Sequence, residues 1–303
     1  MIPVLGHIAA NKRRTFFLFF LFALLFGAVG YFFGLYIGEA VVGLVLAGLI
    51  FLILILISYY AGQGVVTAMA GAHPADRNRE PYLYNIVEAL SIAAGRPVPR
   101  IYIIETGVPN AFAAGRNPKH AVIGVTRGLL NRLNRLELEG VIAHEMAHIN
   151  NYDVLLATVA IVMAGTVVFL SDAVRRILWF GGGRRGSRRD GGGQAQLIAL
   201  IILIILAILA PLFAQLLKFA ISRQREFLAD ATAAEFTGYP EGLATALEKI
   251  TQSQLPNSPI DNKALQGLYI VNPALGARGA ERVTTLFSTH PSTAERVKRL
   301  REM

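Results

Sequence analysis

A chain of 303 residues that is 54% hydrophobic and only 16% charged is too apolar for an ordinary soluble domain. It contains no Cys, which excludes disulfides and thiolate ligands, so any metal must be held by His and carboxylates. The net charge of +9, from 29 Lys and Arg against 20 Asp and Glu, points in so greasy a chain to a bilayer with anionic headgroups before nucleic acid.

Lys12, Arg13 and Arg14 form a basic cluster ahead of two uncharged runs. Thr15 to Gly38 is 24 residues long, and Ala40 to Ala61 is 22, with Glu39 between them. Each run can cross about 30 Å of hydrocarbon as a helix. The first is too long for a signal peptide and has no convincing small-x-small cleavage site, so it reads as an uncleaved anchor. Tyr31, Tyr36, Tyr59 and Tyr60 suit the two membrane interfaces. The positive-inside rule keeps residues 1–14 in the cytoplasm, places the Glu39 turn outside and returns the chain to the cytoplasm from Gly62.

From Ala72 to Asn151 the composition is that of a soluble domain. Tyr82 to Ala94 reads as an amphipathic helix stopping at Gly95, and Arg100 to Glu105 and His120 to Thr126 read as strands. Between the strands, Asn110, Ala111, Phe112 and Ala113 make a turn and a short extended piece. That piece is either a plain hairpin or an exposed strand that can hold an extended substrate by main-chain pairing.

The strongest chemical signal follows, at His144-Glu145-Met146-Ala147-His148. Residues four apart on a helix share a face. Two imidazoles so placed can grip one Zn²⁺, and Glu145 can reach a water on that ion as a general base. Leu133, Leu136, Leu138, Val141 and Ile142 supply the apolar positions of such a helix, with no Pro to break it.

Val154 to Ser171 is again free of charge, as is the stretch 191–217. Between them, Asp172 to Asp190 reads as a flexible loop rich in Gly and Arg. If both runs span, that loop lies outside with Arg175, Arg176, Arg184, Arg185, Arg188 and Arg189, against the positive-inside rule. The pair is therefore a spanning hairpin, a dip into one leaflet or a hairpin packed on the domain. In each case four membrane-embedded helical segments are expected. The Arg-Gly stretch lacks the interleaved aromatics of a single-strand nucleic-acid binder. No G-x-x-x-x-G-K-[ST] occurs, so no ATP-driven step is expected.

A catalytic zinc needs a third protein ligand and an open position. Glu226 and Asp230 are four apart on one helical face. Glu226 can ligate, and Asp230 can accept the second ring N–H of a ligand histidine and fix its tautomer. Near the C-terminus, Ser292 and Glu295 have the spacing of a capping box that starts a last helix. Pro291 makes His290 extended at the mouth of that helix. There His290 is either an ordinary loop residue or a group facing the zinc cleft to steady an oxyanion.

His144 to His148 with Asn151 and Asp153 after it, Glu226 to Asp230, and Pro109 to Ala113 together resemble the HtpX family of bacterial and archaeal membrane proteases. The order of apolar segments resembles it too, over nearly the whole chain. The resemblance implies a mainly α integral-membrane protein with a small β-sheet and a zincin-like metallopeptidase domain of the gluzincin kind, related to the type I CAAX prenyl protease. It implies one Zn²⁺ per chain on His144, His148 and Glu226, with Glu145 as catalytic base, Asp230 and Asp153 supporting the ligands and a site role for His290. The expected domain plan is a cytoplasmic N-terminus 1–14, two transmembrane helices 15–61, a first protease half 62–153, an apolar hairpin 154–217 with its loop at 172–193, and a second protease half 218–303.

The expected activity is zinc endopeptidase action on misfolded or damaged membrane proteins under stress, in the plasma membrane, with the active site facing the cytoplasm. Expected partners are membrane protein or peptide substrates and an anionic lipid surface. Two other readings share these motifs: a CAAX-type prenyl-protein endopeptidase, and a non-catalytic membrane scaffold that keeps zinc for structure.

Overall fold

Two apolar helices open the chain, α1 over Val4–Tyr36 and α2 over Ala40–Leu56. The computed structural model describes residues 4–181, 223–253, 265, 267–271 and 291–303. A π-turn at Ile57–Ala61 carries α2 on into α3, Gly62–Met69. Arg13–Leu35 and Ala40–Met69 are long and apolar enough to cross a bilayer. Only 28% and 11% of their apolar windows are buried inside the protein, so most of that surface needs an apolar solvent. Phe16, Phe17, Leu44, Val45, Leu49 and Ile53 stand on those outer faces.

The two helices approach through small residues. A Cβ built on Gly43 would overlap the Gly30 carbonyl oxygen and the backbone of Gly34. Between membrane helices the lipid tails are as apolar as leucine, so close backbone packing holds the pair together.

A small mixed sheet follows. β1 is His73–Pro74, β2 Arg100–Ile104, β3 Ala111–Gly115 and β4 Ala121–Thr126. The order is β1-β2-β4-β3, with β2 and β4 parallel and the other two pairs antiparallel. Ile101, Ile103, Ile123 and Val125 are the buried β-branched residues that favour this pairing. Helix α4, Pro81–Ala94, stops before Gly95 and turns Leu83, Ile86, Val87 and Leu90 into the core under the sheet.

The short α5, Arg127–Arg132, leads to α6, Arg135–Asn150. Helix α6 is the central post, packed by α4, β3 and two later helices, α8 (Arg223–Thr237) and α9 (Pro240–Gln252). The contact with α9 requires Gly140, where a Cβ would stand 2.6 Å from the Leu243 nitrogen. The last helix, α10 (Thr293–Arg301), starts where the sequence predicts: Ser292 Oγ accepts from the Glu295 N–H at 3.2 Å. The Glu295 carboxylate takes Arg299, at 3.0 Å.

The second apolar pair differs from expectation. Helix α7 runs Asp153–Gly181, so Asp172 to Gly181 is helix and not loop. Nothing in the sequence breaks it before the glycine run that starts at Gly181. It leaves α6 at a bend of 84°, and its first turns pack Leu155, Leu156, Val159 and Met163 onto Leu18, Phe22 and Phe26 of α1. Among the described residues, two helices qualify as spans on their own, and α6 with α7 would be a third only if that bent pair crosses as one. The fourth apolar segment, at 191–217, and Arg184 to Arg189 lie outside the described residues.

The Gly43 contact is testable. Gly43→Leu is expected to force α1 and α2 apart and lower stability by about 1–3 kcal/mol, as overpacking does. Thermal unfolding of the protein in detergent measures this.

Candidate metal centre

Helix α6 is fixed at its start by a capping box. Asn134 accepts from the Glu137 N–H at 3.0 Å, and the Glu137 carboxylate accepts from the Asn134 N–H at 2.9 Å. Val141, Ile142, Met146 and Ile149 then bury one side in the core. This leaves His144 and His148 on the side that meets α8, where Glu226 stands in the first turn.

The three side chains converge. The two Nε2 atoms are 3.2 Å apart, and they lie 3.7 and 3.5 Å from the Glu226 carboxylate oxygens. Donors about 2.1 Å from one ion at tetrahedral angles are about 3.4 Å from each other, so the spacing suits a metal such as zinc. The rings stand at 87° to each other.

The other ring nitrogens are tied back. His144 Nδ1 donates to Asp230 at 3.0 Å and His148 Nδ1 donates to Asp153 at 3.1 Å. Those acceptors assign each Nδ1 as the N–H of a neutral imidazole and turn each Nε2 toward Glu226. Asp153 reaches its place through the sharp corner between α6 and α7. There Tyr152 has φ +61, an uncommon conformation for a bulky residue, and it starts α7 with the Asp153 side chain turned back toward the ring.

His144, Glu145, Glu226, Asp230 and Arg296 are each exposed by 3% or less. Arg296, from α10, neutralises part of this charge. Its Nε and Nη2 hold the two Asp230 oxygens at 2.9 and 2.7 Å, and its Nη1 donates to the Ile270 carbonyl at 3.0 Å. Nη2 also lies 3.3 Å from His144 Nδ1, and both N–H groups share Asp230 Oδ1.

Burial, with Arg296 beside it, lowers the His144 imidazole to about 4, so it stays neutral as a ligand must. Burial opposes a proton on His148, but Asp153 and Glu226 draw one on and raise it to about 9. A corner this rich in carboxylates attracts a cation, and a divalent ion on the same donors meets that demand. Burial pushes Glu145 up to about 7, helped by Glu226 and opposed by His148 and Arg296. Burial works to raise Asp230 as well, but Arg296 and His144 hold it below the usual carboxylate range.

A cleft opens onto these groups, bordered by Ala113 and by residues 267–270. Asn110, Ala111, Phe112 and Ala113 are buried, so the strand does not offer the fully exposed edge that one reading of the sequence expects. The Ile270 N–H donates to the Ala111 carbonyl at 3.1 Å, and the Asn110 amide holds the Val271 carbonyl at 2.8 Å. Ala113 borders the cleft, and its backbone N–H helps hold Glu145 ionised. His290 lies outside the described residues.

Three residues at this centre are missing from the sequence reading. Arg296 shares a helix face with Val297 and Leu300, and an arginine in phase with an apolar stripe was the available signal. Arg225 and Asn11 reach Asp153 from far along the chain, and no local pattern marks them.

A His-Glu-x-x-His helix faced by a carboxylate helix is the arrangement of a metallopeptidase. Residues 77–303 match Peptidase family M48. The "Protease HtpX homolog" of Dictyoglomus turgidum is 46% identical, over 98% of this chain and 93% of its own. That of Streptococcus gordonii is 43% identical, over 98% and 99%. A crystal structure of S. mikatae Ste24p is 17% identical, with a TM-score of 0.49, over 98% of this chain and 67% of its own. The chain belongs to peptidase family M48, and the protein is a membrane-bound metalloprotease.

Arg296→Leu leaves Asp230 buried without its fork. It is expected to cost about 3–5 kcal/mol, the usual result of removing one partner of a buried pair. Arg296→Lys should recover only part of this, because an ammonium cannot hold both oxygens. Denaturant titration of the three proteins in detergent measures it.

Proposed function

We propose that the protein is a zinc endopeptidase that cuts misfolded or damaged membrane proteins at the cytoplasmic face of the plasma membrane. The observation that carries this reading is the convergence of His144, His148 and Glu226 on one point beside the buried Glu145. Those three side chains would hold the ion. Zinc held there would supply a Lewis acid for a water and for the scissile carbonyl.

Glu145 takes the proton from the attacking water and returns it to the leaving amine. Burial raises Glu145 above an ordinary carboxylate, which favours its taking and returning a proton near neutrality. Asp230 and Asp153 hold each Nδ1 and so would keep each Nε2 turned toward a metal on these residues. Ala113, with Asn110, Ala111 and Phe112 shaping its strand, borders the groove for an extended chain. His290 is proposed to steady the developing oxyanion. The two protease halves, 62–153 and 218–303, would meet at α6 and α8.

The site and the N-terminal end of α1 lie together, since the Asn11 amide is 2.7 Å from Asp153. Whichever side of the membrane holds Lys12, Arg13 and Arg14 therefore holds the active site. The positive-inside rule makes that side the cytoplasm, where anionic headgroups face the basic cluster. Neither ATP nor nucleic acid has a part in this scheme.

Glu145→Ala is expected to keep zinc and lose about 10²–10⁴-fold in cleavage, the usual contribution of a general base. Purified protein with a misfolded membrane protein as substrate tests it, beside a farnesylated CAAX peptide that should stay intact. Normal cleavage by this variant would overturn the assignment of Glu145.

The orientation is tested by cysteine labelling, which the Cys-free sequence makes clean. In intact cells, a maleimide that cannot cross membranes should label Gly38→Cys and spare Arg79→Cys.

A further inference from the structure

The inward stripe of α1 is apolar at Leu18, Phe22, Leu25 and Phe26, but it ends at Thr15 and Asn11, both buried. Asn11 is 2% exposed, and its amide is fully employed. Nδ2 donates to Asp153 Oδ1 at 2.7 Å and reaches the Asn151 carbonyl at 3.4 Å. Oδ1 accepts from Arg225 Nη1 at 3.3 Å. The same Nη1 also meets Asp153 Oδ1 at 3.3 Å, so the three side chains close a ring.

That ring touches both halves of the metal centre. The second oxygen of Asp153 holds His148 Nδ1 at 3.1 Å. Arg225 directly precedes Glu226 on α8. The Thr15 hydroxyl anchors the Asn11 carbonyl at 2.9 Å and fixes this turn of α1.

We propose that Asn11 is a positioning residue for the metal site, through which the first membrane helix sets His148 and Glu226. This rests on reading His144, His148 and Glu226 as the metal site. A carboxylate with two free rotamers would hold His148 in more than one orientation. Asn11 and Arg225 remove that freedom by fixing Oδ1, so Oδ2 stays on the ring. An apolar residue would serve the helix packing equally well, since Leu18 and Phe22 already do so farther along the same stripe. The amide is needed only where α1 passes the centre, and the ligands are aligned only while α1 is docked.

The test uses the full-length protein in detergent, titrated with Zn²⁺ against a chelating dye. Asn11→Leu, close in size to the native residue, is expected to weaken zinc binding about tenfold, the lower end of what supporting residues of a metal site contribute. Its kcat should fall while KM for a peptide substrate holds. Phe17→Ala, on the outer face of the same helix, should bind zinc as the unmodified protein does. In the Asp153→Asn background, Asn11→Leu should have no further effect, because its influence passes through that carboxylate.

Zinc binding by Asn11→Leu within about twofold of the unmodified protein, or losses that simply add in the double variant, would overturn the proposal. If Asn11→Leu does not fold, Asn11→Ser replaces it. A serine keeps the position polar but is too short to bridge both partners, so the same tenfold loss is expected and unchanged affinity overturns the proposal. The zinc affinity of the unmodified protein tests the metal reading itself, and the ratio of variant to unmodified protein tests Asn11.

Discussion

Charge taken out of water has to be compensated, and the centre of this protein depends on how that is done. Two carboxylates, Glu145 and Glu226, stand almost without exposure around His144 and His148, and Asp230 lies just behind them. One buried arginine, Arg296, answers part of that charge through a two-pronged contact with Asp230. Its Nη1 also lies 3.6 Å from Glu226, and the side of that carboxylate facing the two Nε2 atoms is where charge is left to be met. Burial makes an uncompensated arrangement costly, so the same constraint that shapes the core also defines where a divalent ion belongs.

The elements that carry this charge come from distant parts of the chain. Helix α6 supplies the imidazoles, α8 the third donor and Asp230, and α10 the arginine. Helix α6 sits at the middle because, past its exposed first turn, α4, β3, α8 and α9 enclose it from Gly140 onward. Close approach at Gly140 matters for the same reason, since a longer distance to α9 would open the core beside the ligands.

Much of this was legible in the sequence because it depends on local pattern. Helical spacing put His144 and His148 on one face, and the same rule paired Glu226 with Asp230. Unbroken apolar runs marked α1 and α2, Gly95 marked the end of α4, and Ser292 marked the start of α10. What escaped was set by contacts between segments remote in sequence. Arg296 resembled its exposed neighbours Lys298 and Arg299 until the fold turned it inward. The Asn11–Asp153 contact spans 142 residues, beyond any periodicity. Helix α7 outlasted the expected loop because charges at Asp172, Arg175 and Arg176 mark polarity but do not break a helix.

Under the proposed function, the contact between Ile270 and β3 would bear on which chains can be processed. Along the rim of the sheet, Ala113 faces the cleft while the neighbouring carbonyl of Ala111 is already taken by the Ile270 amide. A polypeptide entering beside Ala113 can extend past that point only by outcompeting a tether that is covalently part of the same molecule, and so always present at high local concentration. Segments already committed to a helix or a sheet have no spare amides for that exchange. Loosened stretches do, so the main-chain pairing that the proposed function calls for at this rim would depend on how far a visiting chain has come undone rather than on which side chains it carries.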